Sequence, residues 1–204
     1  KTGTALRNEI FLSNRILAAQ LDFLQRISTL SPGEVEEVRD RITQLWHVLG
    51  PREVEKFQLI RLGSENDGGY VLLDDFESVS SVLSLGVGEN NDIDFHFASA
   101  LAKPVFAYDH TVDCLPRDHP LISFRRIGVG SGAGLKPLSE IMNGEPLGPQ
   151  GILFCDIEGA EFSRSFYQAT DFTQFRMISL ELHGLHGLLR RDFSNHVFEL
   201  LGAI

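Results

Sequence analysis

Thiols, tryptophan and membrane-length apolar runs are all scarce in this 204-residue chain. Its two cysteines, Cys114 and Cys155, form neither a disulfide framework nor a C-x-x-C pair. Cys155 lies in an apolar stretch and reads as a small core side chain, while Cys114 lies in a polar loop. Two free thiols in a reducing compartment are the expected outcome. No run approaches the roughly 18 consecutive apolar residues that a spanning helix needs, and no signal-peptide pattern is present. The implied address is cytoplasmic, although the chain opens at Lys1 rather than at a methionine, which leaves an upstream segment open. Basic residues are also few, 18 Lys and Arg against 28 Asp and Glu, for a net charge of −10. Residues 1–50 hold six of each sign, so residues 51–204 carry 22 acids and 12 bases. A groove that follows a phosphate backbone needs the opposite sign, which argues against nucleic acid as a partner. What remains, 43% apolar and 23% charged, is enough to bury one ordinary core with a small appendage.

The appendage is expected over residues 1–50, ahead of a main domain at 51–204. Residues 5–29 carry Leu6, Ile10, Leu17, Leu21 and Leu24 at helical spacing. A second helix starts at Ser31-Pro32-Gly33-Glu34, a capping box with proline at the first helical position. It continues through Val35, Val38, Ile42, Leu45 and Leu49, an a/d seam that Gly50-Pro51 ends. Such a helical hairpin packs either on its own chain or against a second copy as a homodimer.

The main domain alternates strands and helices. Strands are expected at 57–61, 70–73, 82–85, 105–108, 122–127, 151–155 and 177–182. Helices are expected at about 92–103, 138–142 and 192–201. This alternation predicts an α/β fold with a mainly parallel sheet and helices on both faces. A loop rich in Asn, Asp and Gly, from Gly63 to Gly69, is longer than a tight hairpin needs, so Asp67 and Tyr70 can reach the pocket of the next strand. A second glycine run, Gly128 to Gly134, reads as a loop over the same edge.

The most informative stretch runs from Ser81 to Asp109: apolar strand, Gly86-Val87-Gly88 turn, helix, second apolar strand, terminal acid. A βαβ unit of this form binds an adenosine cofactor at the carboxyl ends of its strands, with the acid on the ribose. The third glycine of a dinucleotide fingerprint is absent, because Asn91 stands there. Glu89 and Asp92 occupy the helix start, where a pyrophosphate would be repelled. A P-loop is excluded because no G-K-[ST] follows. A cofactor without phosphates and with a positive centre, S-adenosylmethionine, suits these residues better.

VLSLGVGEN resembles motif I of class I S-adenosylmethionine-dependent methyltransferases, and VFAYD the following acidic-ended strand. RLGSENDGGYVLLDDF and FCDIEGAEF, flanking these, resemble the DGGYV and D-x-E-G-A-E elements of FkbM-type methyltransferases and methyltransferase-like relatives. The resemblance covers roughly residues 57–183. It implies a Rossmann-like class I methyltransferase sheet, with Gly86, Gly88, Glu89 and Asp109 around the cofactor and Asp67, Gly68, Gly69 and Tyr70 close by. That family usually has seven strands, the last two antiparallel, whereas no sixth and seventh strand patterns follow here, so the sheet is expected to lack its C-terminal strands.

The chemistry is expected where strands four and five end. Asp156 directly follows an apolar strand and faces the crevice on the strand-end rule. Glu181 and His183, two apart, point to one face of the neighbouring strand. Together the three suit a general base or a divalent metal such as Mg²⁺. Glu158 and Glu161 are equally at home as helix-N-terminal acids. The expected reaction is O-methylation of a sugar or small-molecule hydroxyl, Asp156 also touching the cofactor. A nicotinamide-dependent Rossmann oxidoreductase and a non-catalytic interaction protein with a vestigial pocket are the alternatives.

Overall fold

The structure is a computed structural model and describes residues 25–65 and 68–204. Strands run β1 (Leu59–Gly63), β2 (Gly69–Leu73), β3 (Val82–Leu85), β4 (Val105–Tyr108), β5 (Ile122–Arg125), β6 (Gly128–Val129), β7 (Leu135–Lys136), β8 (Gly151–Cys155) and β9 (Phe175–Leu180). Helices are α1 (Pro32–Leu49), α2 (Asp92–Ser99), α3 (Leu138–Asn143), α4 (Arg164–Tyr167) and α5 (Arg191–Ala203). Two compact units result. One comprises the described residues up to Gly50 with Leu185–Asn195; the other comprises Pro51–Gly184 with His196–Ile204.

In the larger unit β3, β4, β5, β8 and β9 form one parallel sheet in the order β5-β4-β3-β8-β9. This is the order of the first five strands of a doubly wound Rossmann-type sheet. Every residue of β3 and of β8 is buried. β8 has no polar side chain but its terminal thiol and β3 carries one polar residue, the buried Ser84; near-continuous apolar sequence of this kind is what a strand covered on both faces requires. The chain leaves β3 toward β4 and β5, then returns to the other side of β3 as β8. The strand order therefore reverses between β3 and β8, and the carboxyl ends of those two strands open a crevice.

The early strands β1 and β2 pair with each other, Leu59 opposite Leu73 and Gly63 opposite Gly69. They form a separate antiparallel hairpin and do not extend the large sheet, whose outer strands are β5 and β9. A lone two-stranded hairpin is marginal in water. This one is anchored because Leu62 and Leu72 turn inward into the core around Val82, Ile93 and Phe97, while Leu59 and Val71 face outward. The hairpin thereby rests on the domain's first crossover helix, and Tyr70, on the Leu72 face, is carried to the sheet.

Several expected boundaries shift. Strand 57–61 starts two residues later, because its length is set by pairing with β2. Strand 177–182 runs from Phe175 to Leu180: Phe175 already pairs with Gly151 across a bulge, and the ladder closes with Glu181 N–H donating to Cys155 C=O. The helix from Asp92 ends at Ser99 rather than Lys103, since Lys103 N–H bonds back to Phe97 C=O in a non-helical turn. The glycine run is not wholly a loop, because Gly128–Val129 pairs with Leu135–Lys136.

In the smaller unit α1 has the expected cap. Ser31 Oγ accepts from Glu34 N–H, and Glu34 Oε2 accepts from Ser31 N–H at 2.8 Å. Val38 and Leu45 are buried, whereas Val35, Ile42 and Leu49 remain exposed, so only alternate members of the seam are covered. Arg41 donates to Leu189 C=O within the same unit. The helix expected over 5–29 lies outside the described residues except for its helical end at 25–29. Cys114 is exposed and Cys155 buried, both unpaired. Among the described residues no helix is long and apolar enough to cross a membrane.

Candidate active site

The crevice is floored by the glycine turn after β3. Gly86 has φ +87°, and a Cβ there would fall 1.7 Å from the carbonyl oxygen of Asp156. Only glycine lets the ends of β3 and β8 approach so closely. Gly88 has φ +58° but a Cβ would meet nothing within 4 Å, because it borders open space. Val87 N–H and Gly88 N–H both donate to Asp109 Oδ2 at 2.8 Å. The other oxygen of Asp109 accepts from Thr111 N–H and Thr111 Oγ1, each at 2.6 Å. Burial alone would raise this carboxyl's pKa, but the bonds from Gly88, Thr111 and Val87 pull it below its ordinary value. Asp109 thus braces the turn through four accepted hydrogen bonds while lining the crevice.

Above the turn lies a cavity of about 410 Å³. Gly68, Tyr70, Gly86, Gly88, Glu89, Asp109 and Asp156 all line it. Gly69 does not; a Cβ there would strike Ser64 C=O at 2.0 Å, so its smallness serves the hairpin turn. Asp67 lies outside the described residues. Leu85, Ile93, Val129 and Phe154 give apolar walls, and no lysine or arginine lines the cavity among the described residues. Asp92 is turned away to Arg117, Oδ1 to Nη1 2.7 Å, so of the two acids at the helix start only Glu89 faces the cavity. Asn91, in the place of the third glycine, is buried and exchanges hydrogen bonds with the backbone of Arg117 at 2.8 and 3.0 Å, which ties down the loop after β4.

One end of the cavity holds a chain of polar contacts. Tyr70 donates its hydroxyl to Asp156 Oδ2 at 2.7 Å, with its ring edge-on to Phe154 at 4.5 Å between centroids. Asp156 Oδ1 lies 3.4 Å from His183 Nε2. The other ring nitrogen, Nδ1, is 3.2 Å from Glu161 Oε1, which also accepts His183 N–H at 2.8 Å. Glu161 Oε2 accepts Gly159 N–H at 2.8 Å, and the residue is fully buried. Glu158 Oε2 and Glu181 Oε1 each lie 3.7 Å from His183 Nε2. Burial opposes a charge on His183, but Glu161, Glu158 and Asp156 outweigh it and hold the pKa above the ordinary histidine value.

The structure therefore brings Tyr70, Asp156 and His183 together and adds two acids to them. Glu161 sits in a single 3₁₀ turn, Ala160–Phe162, which faces it inward instead of exposing it at a helix start. Nothing in the sequence separates an acid on a turn's surface from one enclosed by it. Glu158 has φ +54°, unusual for a residue with a side chain. Glu158, not Glu181, completes the group of possible ligand atoms, which together with Asp156 and His183 all lie within 4.8 Å of one another. Glu181, expected beside Asp156 and His183, lies outside that group although its Oε1 is 3.7 Å from His183 Nε2; β9 ends at Leu180, so both residues follow the strand. His110, next to Asp109 and expected at the pocket rim, lines the cavity, as does Thr111, whose nearness to Asp109 in sequence is the one signal that could have found it.

No protein-family model, curated protein or solved structure matches this chain.

Proposed function

We propose that the chain is an S-adenosylmethionine-dependent methyltransferase of the class I type, acting on a hydroxyl of a sugar or other neutral small molecule. The observation that carries this reading is the cavity at the strand-order reversal, bounded by the Gly86–Gly88 turn on one side and Asp156 on the other, with carboxylates and, among the described residues, no lysine or arginine along its walls. A dinucleotide's pyrophosphate calls for cationic side chains or free helix N–H groups. Here Asp92 N–H at the helix start is already taken by Asn90 Oδ1 at 2.9 Å, and among the described residues no lysine or arginine lines the cavity. Bound S-adenosylmethionine supplies an electrophilic methyl group on a cationic sulfur, a charge that this acidic cavity favours.

The chain's own residues then have distinct tasks. The apolar walls from Leu85, Ile93 and Phe154 exclude water around a flat ring. Tyr70 fixes one oxygen of Asp156, leaving Oδ1 directed to the His183 side. An acceptor hydroxyl beside Oδ1 loses its proton to this cluster as its oxygen takes up the methyl group. Glu161 orients His183 and compensates the charge that the proton brings.

Transfer of labelled methyl groups to a panel of sugars and small alcohols tests this reading. Asp156→Asn is expected to lower turnover by roughly 100-fold or more while cofactor binding persists, the scale of a lost general base. Equal turnover in the variant would remove Asp156 from the chemistry.

A further inference from the structure

We infer that Asp156, Glu158 and His183 form a binding site for one divalent cation of the Mn²⁺ class, with Glu161 as the buried group that aims the histidine. The three side chains offer two carboxylate oxygens and one imidazole nitrogen, all within 4.8 Å of one another. An ion with bonds of about 2.1 to 2.5 Å bridges donors spaced up to roughly 4 to 5 Å apart.

Two features distinguish this from an ordinary acidic patch. First, His183 Nδ1 faces the fully buried Glu161, whose remaining capacity is taken by Gly159 N–H and His183 N–H. A carboxylate behind a histidine places the ring proton on Nδ1 and presents Nε2 to a metal, the usual outer-shell arrangement of metal sites. Second, Nε2 is ringed by Asp156, Glu158 and Glu181 at 3.4, 3.7 and 3.7 Å. Those separations exceed good hydrogen bonds, yet three anionic oxygens gather around one nitrogen. The acids that draw a proton to His183 equally favour a divalent ion in its place at Nε2, and no lysine or arginine of the cavity wall competes for them among the described residues.

The two carboxylates suit the harder ions Mg²⁺, Ca²⁺ and Mn²⁺, and the imidazole favours a first-row transition ion, so Mn²⁺ meets both donor types. Glu158 is exposed and Asp156 borders the cavity, so further coordination positions face solvent and a ligand. What the ion does there rests on the methyl-transfer reading: it would lower the pKa of an acceptor hydroxyl bound to it, the proton passing to solvent at the exposed Glu158 side, and Asp156 would then serve as ligand in place of base. The ion's binding does not depend on that reading.

The full chain, stripped with EDTA and desalted, is titrated with Mn²⁺ without cofactor, and free Mn²⁺ is followed by its electron paramagnetic resonance signal. One saturable site per chain is expected. Glu158→Gln, at an exposed position that leaves folding intact, weakens it at least roughly tenfold, and Glu161→Gln, checked for fold by circular dichroism, roughly ten- to hundredfold. Absence of saturable uptake by the unaltered chain, or uptake unchanged by both Glu158→Gln and His183→Gln, overturns the inference. Mn²⁺ uptake without S-adenosylmethionine binding would keep the site and sink the methyl-transfer reading. Cofactor binding without Mn²⁺ uptake would do the reverse.

Discussion

Asp94 is the most consequential single residue outside the site. It lies in the first turn of α2, fully buried, and neither carboxylate oxygen has a hydrogen-bond partner among the described residues. Burial pushes its pKa up to about 7, with only the nearby Ser84 hydroxyl pulling the other way. Below about pH 4 the group is neutral in folded and unfolded chains alike, so its full contribution to stability is present. Between about 4 and 7 the unfolded chain releases the proton first, and stability falls as pH rises, by about 4 kcal/mol in total. Urea unfolding of the native chain and Asp94→Asn across this range is expected to show the asparagine variant gaining steadily on the native chain; a pH-independent difference would contradict the assignment. The glycines of the turn make a second pair. Gly86→Ala forces a methyl group into the Asp156 carbonyl and is expected to abolish cofactor binding, whereas Gly88→Ala meets no atom and costs about 1 to 2 kcal/mol from its left-handed backbone alone. Calorimetry on both variants reads this difference; equal effects would deny the close approach of β3 and β8. At this scale the sequence was legible where chemistry is tied to strand ends, as at Gly86, Tyr70 and Asp156. It was opaque at Glu161, whose role follows from a 3₁₀ turn, and for the hydrogen bonds that Asp109 accepts from Val87 and Thr111.

Among the elements, the β1–β2 hairpin has the clearest task. It holds Tyr70 over Asp156, and it stays in place because Leu62 and Leu72 are buried in the core. Leu72→Ala is expected to cost about 2 to 5 kcal/mol and to lower turnover through loss of Tyr70's position. Tyr70→Phe keeps the edge-on contact with Phe154 and removes only the hydroxyl, so about 1 kcal/mol of stability is lost while turnover still drops. Denaturant midpoints and turnover measured on both variants separate packing from chemistry; full activity in Tyr70→Phe would leave the tyrosine a packing residue. The hairpin's existence was readable from paired strand patterns around a glycine-rich turn. Its place was not, because pairing within the large sheet and pairing as a separate ladder draw on the same alternation. Similarly, the apolar runs located β3, β4 and β8 to within a residue, while β9 began two residues early because Gly151, on its neighbour, offered a partner.

For the whole molecule, charge and topology act together. The excess of acids lies in residues 51–204, and the crevice at the strand-order reversal collects Glu89, Asp156 and Glu158. A parallel sheet with this order puts any ligand at the carboxyl ends of β3 and β8, and among the described residues no lysine or arginine lines the crevice to attract a phosphate. The α/β class and the mainly parallel sheet were legible because strand and helix patterns alternate at regular spacing. The convergence of residues 70, 156, 161 and 183 was not, since it depends on a crossover and a hairpin that bring distant segments to one point. The proposed function requires this crevice to bind S-adenosylmethionine. Isothermal titration of the full chain with S-adenosylmethionine and, separately, with NAD tests it most directly. Saturable one-to-one binding of S-adenosylmethionine, lost in Gly86→Ala, with no heat from NAD is expected; binding of NAD alone, or of neither cofactor, would contradict it.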